Sequence, residues 1–155
     1  MDLILWRHAD AEDQHPSGDL ARPLTQRGQR QAKRVGAWLD HMMPANAKVL
    51  VSPALRTRQT AQGLNRRYQI SKKLAPERNA DDILSEVDWP NNKQLVLVIG
   101  HQPALGSVAC SLLATGSDTL PIRKGAAWWF KHRIKDGQPQ VVLYSIQNHE
   151  TALLR

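Results

Sequence analysis

Three short apolar runs in this chain each break off into polar residues, and segments of helical periodicity lie between them. Leu3-Ile4-Leu5-Trp6 runs straight into Arg7-His8, Lys48-Val49-Leu50-Val51 is ended by Ser52-Pro53, and Gln94-Leu95-Val96-Leu97-Val98-Ile99 ends at Gly100-His101. Continuous apolar runs of this length are what strands buried on both faces of a parallel sheet require. After a polar loop over residues 10–22, Thr25 is a suitable N-cap for a helix. In it Ala32, Val35, Trp38, Leu39 and Met42 recur at helical spacing down to Pro44. Further helices are expected from about Ala54 to Tyr68, over Asp81–Val87 and over Ala104–Ala114, with a short strand plus loop over Ile70–Glu77. Two strand-like runs, Ala126–Ile134 and Val141–Ile146, close the chain around the turn Lys135-Asp136-Gly137-Gln138-Pro139. The alternation predicts an α/β fold: three layers, α/β/α, a mostly parallel sheet, and an antiparallel edge from the closing pair. No repeat or linker-like stretch divides the 155 residues, so 1–155 is expected to form one domain.

Composition narrows the partners. The formal net charge is +7, but Lys and Arg are spread along the chain with only mild clusters at Arg27–Arg34 and Arg66–Lys73. No basic motif interleaved with aromatics appears, so no nucleic acid is expected as a partner. No apolar run approaches the roughly 20 residues needed to cross a bilayer, and no membrane association is expected. The chain opens on a strand rather than a leader, and its single cysteine, Cys110, suits a reducing compartment. Cytoplasm is the expected location.

Ligand crevices of open α/β sheets form outside the carboxyl ends of the strands. Arg7, His8, Ser52 and His101 would therefore converge there, joined by Arg56 and Arg58 at the start of a helix and by Arg22 at the end of the polar loop. Arginine's planar fork matches phosphate and can hold charge that grows in a transition state. A histidine among such cations is pushed toward its neutral form, leaving a ring nitrogen free to attack phosphorus. Alone, His8 would read as a hydrogen-bonded structural group, and it is the company of Arg7, Arg56 and His101 that favours a nucleophile. Arg58 leans toward a surface cation. His15, His41, His132 and His149 lack metal-ligand spacing, so no metal and no cofactor are expected. Of Trp128 and Trp129, adjacent on a strand, one should be core and the other surface or rim. Cys110 should be a buried structural thiol.

These motifs together resemble the histidine phosphatase superfamily, which includes the phosphoglycerate mutases. Arg7-His8-Ala9 is similar to its Arg-His-Gly signature, and Arg22-Pro23-Leu24-Thr25 with Gly28 to its entry into the first helix. Ser52-Pro53-Ala54-Leu55-Arg56-Thr57-Arg58-Gln59-Thr60-Ala61 resembles its Ser-Pro-x-x-Arg-x-x-Gln-Thr-Ala motif, and Val98-Ile99-Gly100-His101 its second histidine motif. The compact length is most similar to the SixA-type protein phosphohistidine phosphatases. The resemblance implies a phosphoglycerate mutase-like fold, His8 as nucleophile, Arg7, Arg56 and His101 on the phosphoryl group, and Arg22 as a further phosphate contact. It departs at Ala9, where the family has glycine and alanine needs a negative φ. For the general acid, the resemblance offers Glu77 and proximity offers Asp10, while a substrate with an imidazole leaving group could do without either.

The expected function is a metal-independent phosphatase working through phospho-His8 on a phosphohistidine-bearing protein, a phosphotransfer or carrier domain. The chain is too short for lid insertions over small metabolites, and its basic surface suits an acidic partner. A small-molecule phosphomonoesterase is the alternative within that class. A non-catalytic module binding phosphoprotein or nucleic acid is the alternative outside it. A monomer is slightly favoured.

Overall fold

The structure, a computed structural model, describes residues 1–153. It contains a six-stranded mixed sheet: β1 (Asp2–Arg7), β2 (Lys48–Val51), β3 (Gln69–Ile70), β4 (Val96–Gly100), β5 (Ala127–Lys135) and β6 (Gln138–Gln147). Their spatial order is β3-β2-β4-β1-β5-β6. The first four are mutually parallel, and β5 runs antiparallel to β1 and carries β6 as the edge. The α/β layers, the mostly parallel sheet and the antiparallel edge agree with the expectation.

Strand alternation sorts the core into two halves. Leu3, Leu5, Leu50, Val96, Val98 and Phe130 face α3 (Ala80–Glu86) and α4 (Ala104–Leu113), where Ile83, Leu105 and Val108 meet them. Ile4, Trp6, Val49, Val51, Leu97 and Ile99 face α1 (Gln26–Met42) and α2 (Leu55–Ala61), meeting Val35, Leu39 and Ala61. Because both faces are covered, β1 and β4 read as unbroken apolar runs. The tryptophan pair obeys the same parity: Trp129 is buried on the α1–α2 side, while Trp128 packs half-buried on the α3–α4 side.

The helix starts follow local chemistry. Thr25 caps α1 by accepting the Gly28 N–H, and Asn79 with Asp82 forms a capping box that starts α3 at Ala80. Two expectations need correction. The second helix ends at Ala61 rather than continuing to Tyr68. Its last turn tightens as the Gln62 N–H bonds the Gln59 and Thr60 carbonyls. Arg66 then reaches across to the end of α1, donating to the Asp40 carboxylate and to the Asp40, Met43 and Pro44 carbonyls. The Asp40 and Met43 carbonyls belong to the helix end, and these bonds draw the chain away from the α2 axis. The strand expected within Ile70–Glu77 is only Gln69–Ile70, both residues exposed, because a 3₁₀ turn over Lys72–Leu74 follows at once. α1 and α2 touch through glycine, and a Cβ on Gly36 would stand 2.4 Å from the Gly63 carbonyl group.

Candidate active site

The order β2-β4-β1 sets the three polar strand ends side by side. Arg7 is in register with Gly100, the His8 N–H donates to the Gly100 carbonyl at 3.1 Å, and the Ser52 N–H donates to the Ile99 carbonyl at 3.1 Å. From the antiparallel side, Gly125 closes the end of β1, its N–H donating to the His8 carbonyl at 2.9 Å. His8 and His101 thus lie next to each other, with ring centroids 5.4 Å apart, and both are buried.

The His8 tautomer is fixed by a neighbour, and that of His101 follows the direction of a serine hydroxyl. His8 Nδ1 lies 2.8 Å from the Ala9 carbonyl oxygen. A carbonyl only accepts, so Nδ1 carries the proton and Nε2 presents its lone pair. Burial lowers the His8 pKa to about 4, with Arg56, Arg7 and Arg22 adding to the effect. His101 is lowered to about 3 by burial first and Arg56 next. Both rings are therefore neutral at neutral pH. His101 Nε2 is 2.7 Å from Ser52 Oγ, and that oxygen also accepts the Ala54 N–H at 3.3 Å. When the serine hydrogen is directed to Nε2, the His101 proton sits on Nδ1. That atom is buried and has no partner among the described residues.

Two arginines repeat the pattern. Arg7 donates through one terminal nitrogen to the Ile122 carbonyl at 2.8 Å, and its Nε is buried with no partner. Arg56 is only 3% exposed and its Nε is likewise unpaired. Its terminal nitrogens donate to the Asp19 carbonyl at 2.9 Å and to Asp19 Oδ2 at 3.1 Å. Burial works against both guanidinium charges. Buried donors are paired as a rule, so three unpaired donors beside one free imidazole lone pair mark a place made for an oxyanion.

Arg22 stands at the rim, donating to Asp19 Oδ1 at 3.0 Å and to the Glu12 carbonyl at 2.8 Å. Arg58 is exposed on α2. Glu77 is exposed in the turn before α3 and makes no hydrogen bond or ion pair among the described residues. Asp10 is engaged elsewhere: it accepts the Thr25 hydroxyl at 2.8 Å and pairs with Lys124 at 3.4 Å. Those contacts, the Thr25 hydroxyl foremost, hold its carboxyl below the ordinary aspartate value. Among the described residues neither His8 nor His101 is hydrogen-bonded to a carboxylate.

Ala9 sits fully buried beside Ala11, Leu24 and Ala32, and it is not among the residues with positive φ. Its N–H donates to Thr60 Oγ1, whose own hydrogen goes to the Arg56 carbonyl at 2.7 Å. Thr60 therefore ties the backbone after His8 to the helix that carries Arg56. Thr60 and Asp19 are the contributors that sequence reasoning passed over, whereas Ser52 was placed at its strand end without a partner. For Asp19 the available signal was its position three residues before Arg22. For Thr60 it was helical spacing, four residues after Arg56.

Comparison with known proteins follows the same lines. The sequence model of the "Histidine phosphatase superfamily (branch 1)" matches residues 3–91. An uncharacterized protein of Picosynechococcus sp. is 35% identical over 119 residues, covering 70% of this chain and 71% of its own. Phosphohistidine phosphatase SixA of Escherichia coli (strain K12) is 29% identical over 120 residues, covering 72% of this chain and 74% of its own. A solved structure of the protein histidine phosphatase SixA complexed with tungstate superposes with a TM-score of 0.78. Its identity is 24%, and the match spans 96% of this chain and 97% of that one.

Proposed function

Because the chain belongs to the histidine phosphatase superfamily, we propose that it hydrolyses a phosphoryl group through a phospho-His8 intermediate, and that the group arrives on a histidine of another protein. The observation that carries this reading is the set of buried donors without partners, Arg7 Nε, Arg56 Nε and His101 Nδ1, beside a neutral His8.

In the first step the lone pair of His8 Nε2 forms a bond to phosphorus while the P–N bond to the substrate imidazole breaks. Arg7, Arg56 and His101 each take a phosphoryl oxygen, and Arg22 adds charge at the rim. Positioned cations and donors of this kind supply most of what phosphoryl transfer requires, and in this chain they come from side chains without calling on a metal. As Nε2 is phosphorylated, the ring gains positive charge, and the Nδ1–H donated to the Ala9 carbonyl strengthens to meet it. The leaving imidazole takes its proton from water. In the second step a water attacks phosphorus, Nε2 leaves, and inorganic phosphate is released.

A phosphohistidine fits better than an alkyl phosphate because of the leaving group. An alkoxide needs a positioned acid, whereas Asp10 is ionised and held by Thr25, and Glu77 stands exposed with no contact to the histidines. A neighbouring structure that holds tungstate, a tetrahedral oxyanion, is in keeping with this cradle.

The test is turnover by wild type and His8→Ala on a phosphohistidine protein, an alkyl phosphate and an aryl phosphate, with acid-labile phosphate trapped on the enzyme and chelator in excess. Expected are a loss of about a thousandfold or more in kcat for the variant, a trapped phosphoenzyme in wild type only, and indifference to chelator. Turnover retained by His8→Ala would refute the nucleophile. Faster turnover of the alkyl phosphate than of phosphohistidine would replace the protein substrate with a small phosphomonoester.

A further inference from the structure

We propose that the solvent face of α1, together with the Arg123–Lys124 segment, is a docking surface for an acidic protein domain that presents its phosphohistidine to His8. The proposal rests on the phosphohistidine reading above and adds where the partner sits.

The charge is arranged, not scattered. Arg27, Arg30, Lys33 and Arg34 are all exposed on α1 and line one groove with Ala37, His149 and Leu153. Their spacing places Arg27 three residues before Arg30, and Arg30 three and four before Lys33 and Arg34. On a helix those are neighbouring side chains, and like charges so placed destabilise it. Arg27 also lies in the first turn, where the helix dipole disfavours a cation. Among the described residues none of the four is paired with a carboxylate. Apart from the Arg34 bond to the His149 carbonyl and the attraction of Arg27 for the Asp10 and Glu150 carboxylates, the row faces solvent without a counter-charge that a negatively charged partner would supply.

The row is continuous with the site. The first turn of α1 is fixed to residue 10, two places past His8, by the Thr25–Asp10 contacts. Lys124 reaches the same Asp10 carboxylate, and its neighbour Gly125 donates to the His8 carbonyl. Arg123 pairs with Glu150 at 3.1 Å, both partners largely exposed. Among the described residues six cations thus stand on this face against two carboxylates, Asp10 and Glu150, an excess of four beside a formal net charge of +7. Among the described residues the groove holds no Trp, Tyr or Phe on which a nucleobase could stack, and exposed Leu153 adds apolar surface to its rim. Charge complementarity with apolar contact is the recognition mode of a protein face.

The triple variant Arg27→Gln/Arg30→Gln/Lys33→Gln tests this, leaving in place Arg34, whose guanidinium bonds the His149 carbonyl. The probes are a phosphorylated histidine phosphotransfer domain of strongly acidic surface and free phosphohistidine. Expected is a fall of about tenfold in kcat/KM on the domain, carried by KM, with free phosphohistidine changed by less than about twofold. The wild-type preference for the domain should shrink as salt is raised past roughly 0.2 M, and that of the variant should not. The variant's Tm should match or exceed wild type. An equal loss on both probes, or none on the domain, overturns the docking face. So does binding of single-stranded RNA that is abolished in the variant while turnover of the domain is unchanged. If wild type turns over neither probe, the phosphohistidine reading fails instead. Direct titration of His8→Ala with the phosphorylated domain then decides the docking face by itself: salt-sensitive binding lost in the combined variant supports it, and no binding refutes it.

Discussion

Lowering the pH from 7 to 4.5 should cost this fold about 5 kcal/mol, and two histidines account for it. His8 is lowered to about 4 and His101 to about 3, against about 6.5 in an unfolded chain. A base depressed by folding takes up its proton in the unfolded state first, so in the window between those values acid favours unfolding. Each unit below 6.5 then costs about 1.4 kcal/mol per histidine, or about 2.6 kcal/mol each at pH 4.5. Asp10 and Asp19 are depressed carboxylates whose stabilisation fades only as pH falls through their own lower values, below this window. Urea unfolding at the two pH values measures the difference directly, and His8→Asn, which cannot titrate, should lose only about half as much. A wild-type difference below about 1 kcal/mol, or a His8→Asn slope equal to that of wild type, would refute the argument. The same physics keeps the Nε2 lone pair available, so phosphorylation of the enzyme should not titrate near pH 6.5.

Asp19 sets its carboxylate between Arg22 and Arg56. Burial acts to raise its pKa, and the two arginines outweigh that and hold it ionised. An oxyanion entering the cradle meets this like charge, largely solvent-screened, at a cost of about 1 kcal/mol. Asp19→Asn should therefore bind tungstate roughly fivefold more tightly by calorimetry, and weaker binding would mean that holding the arginines in place matters more than repulsion. Gly36→Ala should destabilise the fold by at least about 2 kcal/mol in urea, since its methyl would meet the Gly63 backbone rather than a movable side chain. A change under about 0.5 kcal/mol would show that α1 and α2 can part freely.

The parts of the fold that were legible in the sequence are those in which one physical requirement dominates. Strands covered on both faces must be apolar throughout, so β1, β2 and β4 announced themselves and their ends located Arg7, His8, Ser52 and His101. α1 was readable from Thr25 and a clean apolar stripe. The end of α2 was not, because Leu64 continues the helical pattern while the decision is made by Arg66 bonding carbonyls over 20 residues away. Asp19 was hidden for a related reason. It is one of several acids in a polar loop, and what singles it out is tertiary contact with Arg56. The tautomers of both histidines depend on the Ala9 carbonyl and the Ser52 hydroxyl, which no spacing rule encodes.

The place of β1 in the sheet has a consequence for how the molecule comes into being. Both of its neighbours, β4 and β5, are synthesised long after it. Until residues near 100 have left the ribosome, the strand that ends in the nucleophile has no partner, and until residues near 130 have left it has one on one side only. The Ile122 carbonyl that holds Arg7 and the Gly125 amide that closes over His8 arrive later still than β4. Competence is therefore acquired late, once the residues up to Gly125 have emerged. A chain interrupted before Ile122 carries Arg7, His8, Arg56 and His101 yet lacks the carbonyl and the amide that hold the first two, and its β1 is unpaired on the side that β5 will take.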